Sequence, residues 1–388
     1  MINTQLIENY LLKNNLSTYD PYDIWKTDIG VKIKKLYYKN KYIGLLPAGV
    51  ITIYDLYINN NKRKNYTTQE YPITRAQAAI TLLNLYQQEE NLKYIKYAKI
   101  HIDWLLDNAS TGYSGHCWGM NYDWVYTATD TYDKNTPFST HTPYPLEALV
   151  QYYNITKDES VLEAIKSVFL FLENDIKIMK ETKDMLILSY GVEKDRIVTN
   201  ANSYSMYMYA LLLSFLPEKE EYIKNKIKKL YNFIASVQQD NGSWLYSPYD
   251  DNTFIDCFHS AIVVKNIIKT GELTYLDDVN TVTTRGYIYI IKNFINEKYN
   301  LCKRFSVSNK ISITKFDLYD NAEVLNLAIM QKDNETVLKL SNSIQKYFIN
   351  ENNEIASMID LLGKRKNFNH LRWAVIPYLN TLSKMENS

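Results

Sequence analysis

The sequence predicts an all-α protein, an (α/α)6 toroid in which six helical hairpins close into a ring with their long loops on one face. Helix starts recur along the 388 residues at intervals of about 52 to 66 residues, too long for ordinary solenoid repeats. Such an interval fits one helical hairpin plus one long loop. The predicted starts lie near Arg75, His141, Ala201, Asp256, Asp317 and Asn369.

The patterns of apolar and polar residues in the predicted helices indicate a ring with two layers. The first helix of a predicted pair is apolar on nearly all sides, as in segment 204–213, which is typical of a helix buried on most of its surface. The second is amphipathic, and Ile223, Ile227, Leu230 and Ile234 share one face of a helix that carries lysines on the other. We therefore expect enclosed inner helices and half-exposed outer helices.

The N-terminal region differs from the repeats. A short helix is predicted over about residues 4–14, a turn at Asp20-Pro21, and a further apolar helix over about 45–56. We expect residues 1–70 to pack on the ring as an N-terminal segment and residues 71–388 to form the toroid.

Long connections run from each predicted outer helix to the next inner one. Loops of this length inside a compact domain are usually functional, so we expect the site on the face that they share. The predicted connections cover residues 109–140, 174–200, 239–255, 297–316 and 350–368.

Composition excludes several classes of protein. A formal net charge of +1 gives no basic face for nucleic acid, and no run of 18 apolar residues predicts a membrane span. The sequence lacks a basic and apolar leader, and its three cysteines form no CxxC pair, so we expect a cytoplasmic protein. The 35 tyrosines are unusual, and their rings can stack on sugars where they line a cavity.

Polar residues gather at the predicted inner-helix starts, which converge on one mouth if the ring closes. Four of the five histidines lie there or in the long loops, whereas His101 lies on an outer helix. The predicted catalytic residues are Asp123, His141, Asp256, His259 and Asp320. The predicted substrate-binding residues are Trp118, Trp124, Tyr144, Asn202, Trp244, His370, Arg372 and Trp373. Asn202, Asp256 and Asp320 can alternatively serve as helix caps.

Cofactor and metal sites are not expected. His116-Cys117 and the Cys257/His259 pair offer zinc-ligand atom types, but their spacing matches no established zinc motif. The 11 glycines form no phosphate-binding loop, and the chain has no GxSxG motif.

Five segments carry a resemblance to a known family: Tyr19-Asp20-Pro21-Tyr22-Asp23, residues 117–124 (CWGMNYDW), 241–244 (NGSW), 255–259 (IDCFH) and 369–373 (NHLRW). Together they resemble the VpsJ-type bacterial polysaccharide-biosynthesis family. This resemblance implies a place in a capsule or exopolysaccharide gene cluster, an oligo- or polysaccharide ligand and contact with other polysaccharide-biosynthesis proteins. It also implies a six-hairpin toroid, an architecture that houses glycoside hydrolases, polysaccharide lyases and uronyl epimerases. It implies no particular reaction.

Three functions fit these residues. Glycoside hydrolysis needs two carboxylates and is favoured, because Asp123, Asp256 and Asp320 recur at three repeat positions. A uronate lyase or C5-epimerase would instead use a Tyr or His base with Asn, His or Arg on the substrate carboxylate. Its candidates are His141, Tyr144, Asn202, His259 and Arg372. A non-catalytic glycan-binding or assembly protein would need only the aromatic groove. A prenyl-handling ring is disfavoured because the chain has no DDxxD motif.

Overall fold

The computed structural model describes residues 4–192, 196–251, 253–308 and 312–385. Within these ranges the chain forms fourteen α-helices and eleven short β-strands. The helices are α1 Thr4–Leu11, α2 Asp28–Lys39, α3 Lys41–Ile53, α4 Pro72–Glu89, α5 Leu92–Asp107, α6 Pro143–Thr156, α7 Leu162–Asn174, α8 Thr199–Leu212, α9 Glu220–Ser236, α10 Cys257–Leu273, α11 Val279–Phe294, α12 Leu318–Met330, α13 Asn334–Phe348 and α14 Ile376–Leu382. The strands are β1 Trp124–Val125, β2 Thr131–Tyr132, β3 Ile178–Glu181, β4 Leu186–Leu188, β5 Ile255–Asp256, β6 Ile295–Asn296, β7 Leu301–Cys302, β8 Phe305–Val307, β9 Thr314–Asp317, β10 Ala356–Asp360 and β11 Arg365–Phe368.

The inner layer is a closed ring of six helices, α4, α6, α8, α10, α12 and α14. Each packs against the next, and α14 packs back on α4. Every residue of α8 is buried, in keeping with its apolar sequence. The predicted all-α (α/α)6 toroid is confirmed, and five of its helix starts lie within three residues of the predicted anchors. The sixth, α14, begins after an irregular turn over Leu371–Val375.

The outer layer consists of the amphipathic helices α5, α7, α9, α11 and α13, and α1 also packs on the core. Leu6, Ile7 and Leu11 of α1 are buried in the core. The hydroxyl of Tyr10 donates to Asn369 Oδ1 at 2.5 Å, which ties α1 to the segment before α14. These contacts join the N-terminal region to the ring; a domain boundary at residue 70 stays a prediction.

Each outer helix leads into a long connection that ends at the start of an inner helix, so the connections share one face of the ring. Short antiparallel strands brace them. The strands β9, β10 and β11 form a sheet in the order β11-β10-β9, and β5 pairs with β8. The connection between α1 and α4 carries α2 and α3 as a helical hairpin. Throughout the described ranges, each helix is too short or too polar to cross a bilayer.

Candidate functional site

An aromatic wall lies where the long connections meet the inner-helix starts. The indole of Trp373 stacks on Tyr319, with ring centroids 4.5 Å apart and planes at 21°. Phe258 contacts both rings edge-on, and Tyr22 contacts Trp373 edge-on at 5.6 Å. These four side chains come from the starts of α10 and α12, the turn before α14 and the turn after Asp20. Aromatic faces of this kind suit the apolar face of a sugar ring.

Beside this wall, Asp256 and His259 form a carboxylate–histidine pair at the start of α10. His259 Nδ1 lies 2.8 Å from both carboxylate oxygens of Asp256, the last residue of β5. Asp256 is 3% exposed, whereas the His259 side chain is 21% exposed. The carboxylate therefore favours the tautomer with a proton on Nδ1, which leaves Nε2 as the basic atom. The ring is held between Phe258 and Tyr246, whose centroids lie 3.8 and 4.6 Å away.

Arg304 contacts the aromatic wall and two buried carboxylates next to it. Its Nη1 lies 3.3 Å from Asp317 Oδ2 and 3.4 Å from Asp320 Oδ2, and its guanidinium lies 4.6 Å from the centroid of Phe258. Asp317 also accepts from Trp373 Nε1 at 3.1 Å, and Asp320 from the Phe258 amide at 3.1 Å. Burial raises the pKa of both Asp317 and Asp320, and the charge of Arg304 opposes that rise. The wall is thus fixed by a buried network with an excess of carboxylates.

A second ion pair, between Arg372 and Asp20, joins the aromatic wall to the N-terminal region. Arg372 donates to Asp20, and its guanidinium lies 5.7 Å from the Trp373 centroid. Burial acts to raise the pKa of the Asp20 carboxyl, but Arg372 and Lys26 outweigh it and hold the pKa well below its usual range. Lys26 Nζ also donates to Tyr71 Oη at 2.8 Å. Asp20 therefore stays ionised and anchors Arg372.

His141, at the start of α6, is neutral at pH 7. Burial lowers its pKa to about 3, and the charge of Arg372 adds to the effect. The hydroxyls of Tyr144 and Tyr204 lie 2.5 Å apart, and the Tyr144 hydroxyl lies 3.4 Å from the Tyr319 hydroxyl. Burial raises the pKa of these three phenols well above the ordinary value, so their hydroxyl groups stay protonated.

Of the predicted site residues, the structure brings Tyr144, Asp256, His259, Asp320, Arg372 and Trp373 together around this mouth, and His141 lies close enough to feel the charge of Arg372. Asp320 is 0% exposed, so it can act only through Arg304 and the backbone of α10. Trp124 contacts Tyr22 edge-on at 6.0 Å and lies at the rim, beneath α2.

Five predicted residues lie away from the mouth. Trp118 and Trp244 are buried in the core, where their indole N–H groups donate to Leu105 and Ile234 carbonyls. Asn202 is buried and holds both backbone groups of Leu188.

The other two are His370 and Asp123. His370 is 3% exposed and packs on Arg63, with Nε2 to Nη2 at 2.9 Å. Asp123 is exposed and accepts from the Lys134 amide at 2.7 Å. Each of the five has a structural partner in its own surroundings.

Sequence reasoning did not select Tyr22, Tyr246, Arg304 or Asp317 as site residues. Asp317 marked a helix start, and Tyr22 lay in one of the family-like segments, so both carried a usable signal. Arg304 sits in a loop without a motif, and its position depends on the pairing of β5 with β8. Among the described residues, no group of three or more His, Cys, Asp and Glu side chains is arranged to hold a metal ion.

No known family model matches the chain, and no curated protein matches it. Solved structures share the fold. A sugar epimerase from a ruminal bacterium matches with a TM-score of 0.63 and 12% identity, over 81% of this chain and 86% of that one. A family 76 α-mannanase from Bacteroides thetaiotaomicron matches with a TM-score of 0.57 and 10% identity, over 94% of this chain and 97% of that one. A polysaccharide lyase matches with a TM-score of 0.55 and 9% identity, over 92% of this chain and 97% of that one. The chain is similar to these toroids in fold.

Proposed function

We propose that this protein is a sugar-processing enzyme that transfers a proton at a carbon atom of its substrate, as an epimerase or an isomerase does. The observation that carries the proposal is the Asp256–His259 pair beside the aromatic wall of Trp373 and Phe258. A general base must be oriented and reachable, and His259 meets both conditions, because Asp256 holds its Nδ1 and its side chain is partly exposed.

In the proposed reaction, His259 Nε2 removes the proton from the carbon next to the carbonyl group of an open-chain sugar. The C–H electron pair forms the double bond of an enediolate, and the carbonyl π electrons move onto oxygen. When the carbonyl re-forms, a solvent proton added to the opposite face of the same carbon gives the epimer. When the neighbouring hydroxyl proton instead passes to the former carbonyl oxygen, protonation of the former carbonyl carbon by His259 gives the isomer. The N–H group of neutral His141 would hold the developing oxyanion.

The charges around the mouth favour a neutral sugar over a uronate. Arg304 is paired with Asp317 and Asp320, and Arg372 is paired with Asp20. Both guanidiniums are therefore already neutralised by carboxylates. A uronate carboxylate would gain little there and would meet the negative charge of Asp256.

The wider context of the proposal rests on two likenesses. The VpsJ-type segments support a glycan of capsule or exopolysaccharide biosynthesis as the substrate, with other proteins of that pathway as partners. The likeness in fold to a structure described as a sugar epimerase supports the reaction class as an analogy.

Glycoside hydrolysis is the second candidate, and one observation favours it. Burial raises the pKa of Asp317, as a general acid requires, and Asp317 keeps 6% of its surface exposed. Against it, Arg304, Trp373 and the Tyr319 amide already donate to this carboxylate. Asp256, the other candidate carboxylate, is engaged with His259.

Proton NMR in D₂O separates these reactions. The protein is incubated with a panel of reducing sugars and with the producer's own surface polysaccharide. Deuterium at the carbon next to the carbonyl carbon, together with epimer or ketose signals, supports the proposal. New reducing-end signals from the polysaccharide without that exchange would support hydrolysis. Olefinic signals would support a lyase, and selective line broadening alone would support a binding protein.

A further inference from the structure

Several exposed apolar side chains lie together on α3, in the hairpin next to the mouth. Tyr42, Leu46 and Ile43 are 92%, 76% and 62% exposed, and Val50 and Ile53 are 56% and 57% exposed. Tyr42, Leu46, Val50 and Ile53 follow one another at intervals of three or four residues, about one helical turn. Their side chains therefore lie on the same side of α3 and form a continuous apolar face. We call this surface, Tyr42 to Ile53, the α3 face.

The packing of the hairpin fixes which way the α3 face points. Gly44 lies so close to α2 that a Cβ atom there would sit 2.2 Å from the Tyr37 Cα atom. The contact between the two helices therefore uses the glycine side of α3. The bulky aliphatic side chains are left on the opposite, outward side.

The charge around the α3 face is one-sided. The chain has no acidic residue between Asp28 and Asp55, whereas it has five lysines there, in a protein with a formal net charge of +1. Lys34 points inward, with Nζ 3.0 Å from the Trp124 ring centroid. Lys32, Lys39 and Lys41 are exposed. An apolar face with a purely basic border is complementary to a bilayer that contains anionic lipids.

Two other occupants fit less well. A second copy of this chain would bring its own lysines against these lysines, which disfavours a symmetric pairing. A transmembrane arrangement fails on length, because the 13 residues of α3 span about 20 Å, whereas a bilayer core is about 30 Å thick. A helix of this length fits flat in the interface, where its residue Tyr42 is favoured.

We infer that the α2–α3 hairpin docks the protein on the surface of an anionic membrane. The same hairpin borders the mouth: Lys34, Tyr37, Tyr38 and Ala48 line an open cavity of about 320 Å³ together with Tyr22, Trp25 and Trp124. Docking through the α3 face therefore places the mouth next to the bilayer. The inference goes beyond the proposed function and does not depend on the reaction.

Vesicle flotation tests the inference with a matched pair of variants. Leu46→Asp lies on the α3 face, and Leu92→Asp lies on α5 at a similar exposure, 76% against 72%. The wild-type protein should float with phosphatidylcholine vesicles that contain phosphatidylglycerol, and less with pure phosphatidylcholine. Leu46→Asp should lower the partition coefficient at least about tenfold, and Leu92→Asp should leave it unchanged.

Further measurements complete the test. Lys32→Glu/Lys39→Glu should remove the preference for phosphatidylglycerol, and added salt should weaken binding of the wild type. Absence of flotation, or equal losses in Leu46→Asp and Leu92→Asp, would overturn the inference. A concentration-dependent dimer that Leu46→Asp abolishes, seen by light scattering without vesicle binding, would assign the face to a second copy. The reaction on a free sugar should be unchanged in Leu46→Asp, which separates this test from that of the proposed function.

Discussion

Replacement of Arg304 by methionine should destabilise the protein strongly, because it leaves two buried carboxylates without their cation. Asp320 is 0% exposed and Asp317 is 6% exposed. Removing one partner of a buried ion pair costs about 3–5 kcal/mol. With about 2.1 cal/mol/K of unfolding entropy per residue, a 388-residue chain should lose about 4–6 °C in Tm.

The loss should depend on pH in a defined direction. Burial raises the pKa of Asp317 and Asp320 in the folded protein, and loss of Arg304 raises it further. A carboxyl group whose pKa is higher in the folded chain binds more protons when folded. Its contribution to stability is therefore full below its unfolded pKa and is lost as the pH rises through the folded pKa. The deficit of Arg304→Met relative to wild type should be largest at a pH where both carboxyl groups are ionised, and it should shrink as the pH falls and they become protonated.

Thermal unfolding followed by circular dichroism at several pH values is the assay. The variant Arg304→Met/Asp317→Asn/Asp320→Asn carries no unpaired charge at these positions and should regain much of the lost stability, since an amide oxygen can still accept from the Phe258 amide. A Tm within about 1 °C of wild type for Arg304→Met, or a deficit that is constant with pH, would refute the reasoning.

Three further predictions concern the packing and the wall. Lys265→Met should cost about 3–5 kcal/mol, because Lys265 Nζ lies 2.5 Å from buried Glu323; Lys265→Met/Glu323→Gln should recover most of it in urea unfolding. Gly286→Ala should cost about 1–3 kcal/mol, because its Cβ would sit 2.6 Å from a ring carbon of a core tryptophan. Gly49→Ala, with nothing within 4 Å, is the control in the same melting experiment. Trp373→Ala should raise the KM for the sugar about tenfold by removing its stacking face, and an unchanged KM would remove Trp373 from the binding surface.

The ring could be predicted from sequence because its signals are local and repeated. The apolar period of α8 and the amphipathic period of α9 each occur within one helix. Their alternation along the chain then indicates two layers. The pair of Asp256 and His259 could be predicted from sequence for the same reason, because residues three apart at a helix start face each other within one turn.

The rest of the mouth depends on contacts between distant segments. Arg304 meets Asp320 only after β8 has paired with β5, and Tyr22 reaches Trp373 only when the N-terminal region has folded over the ring. Tryptophans were ambiguous for a related physical reason. Trp244 lies in the long connection before α10 and Trp373 in the turn before α14, and only the packed structure shows that the first is 3% exposed in the core and the second is at the wall.

The most direct test of the central claim is the rate at which a sugar carbon exchanges its proton with D₂O in two histidine variants. His259→Gln removes the proposed base, whereas His116→Gln changes a half-buried histidine whose Nδ1 lies 2.7 Å from Ser167 Oγ, on the outer helix α7. The proposal predicts that His259→Gln lowers the exchange rate roughly 10²–10⁴-fold at unchanged Tm, and that His116→Gln retains wild-type exchange. Wild-type exchange in a folded His259→Gln variant would contradict the account.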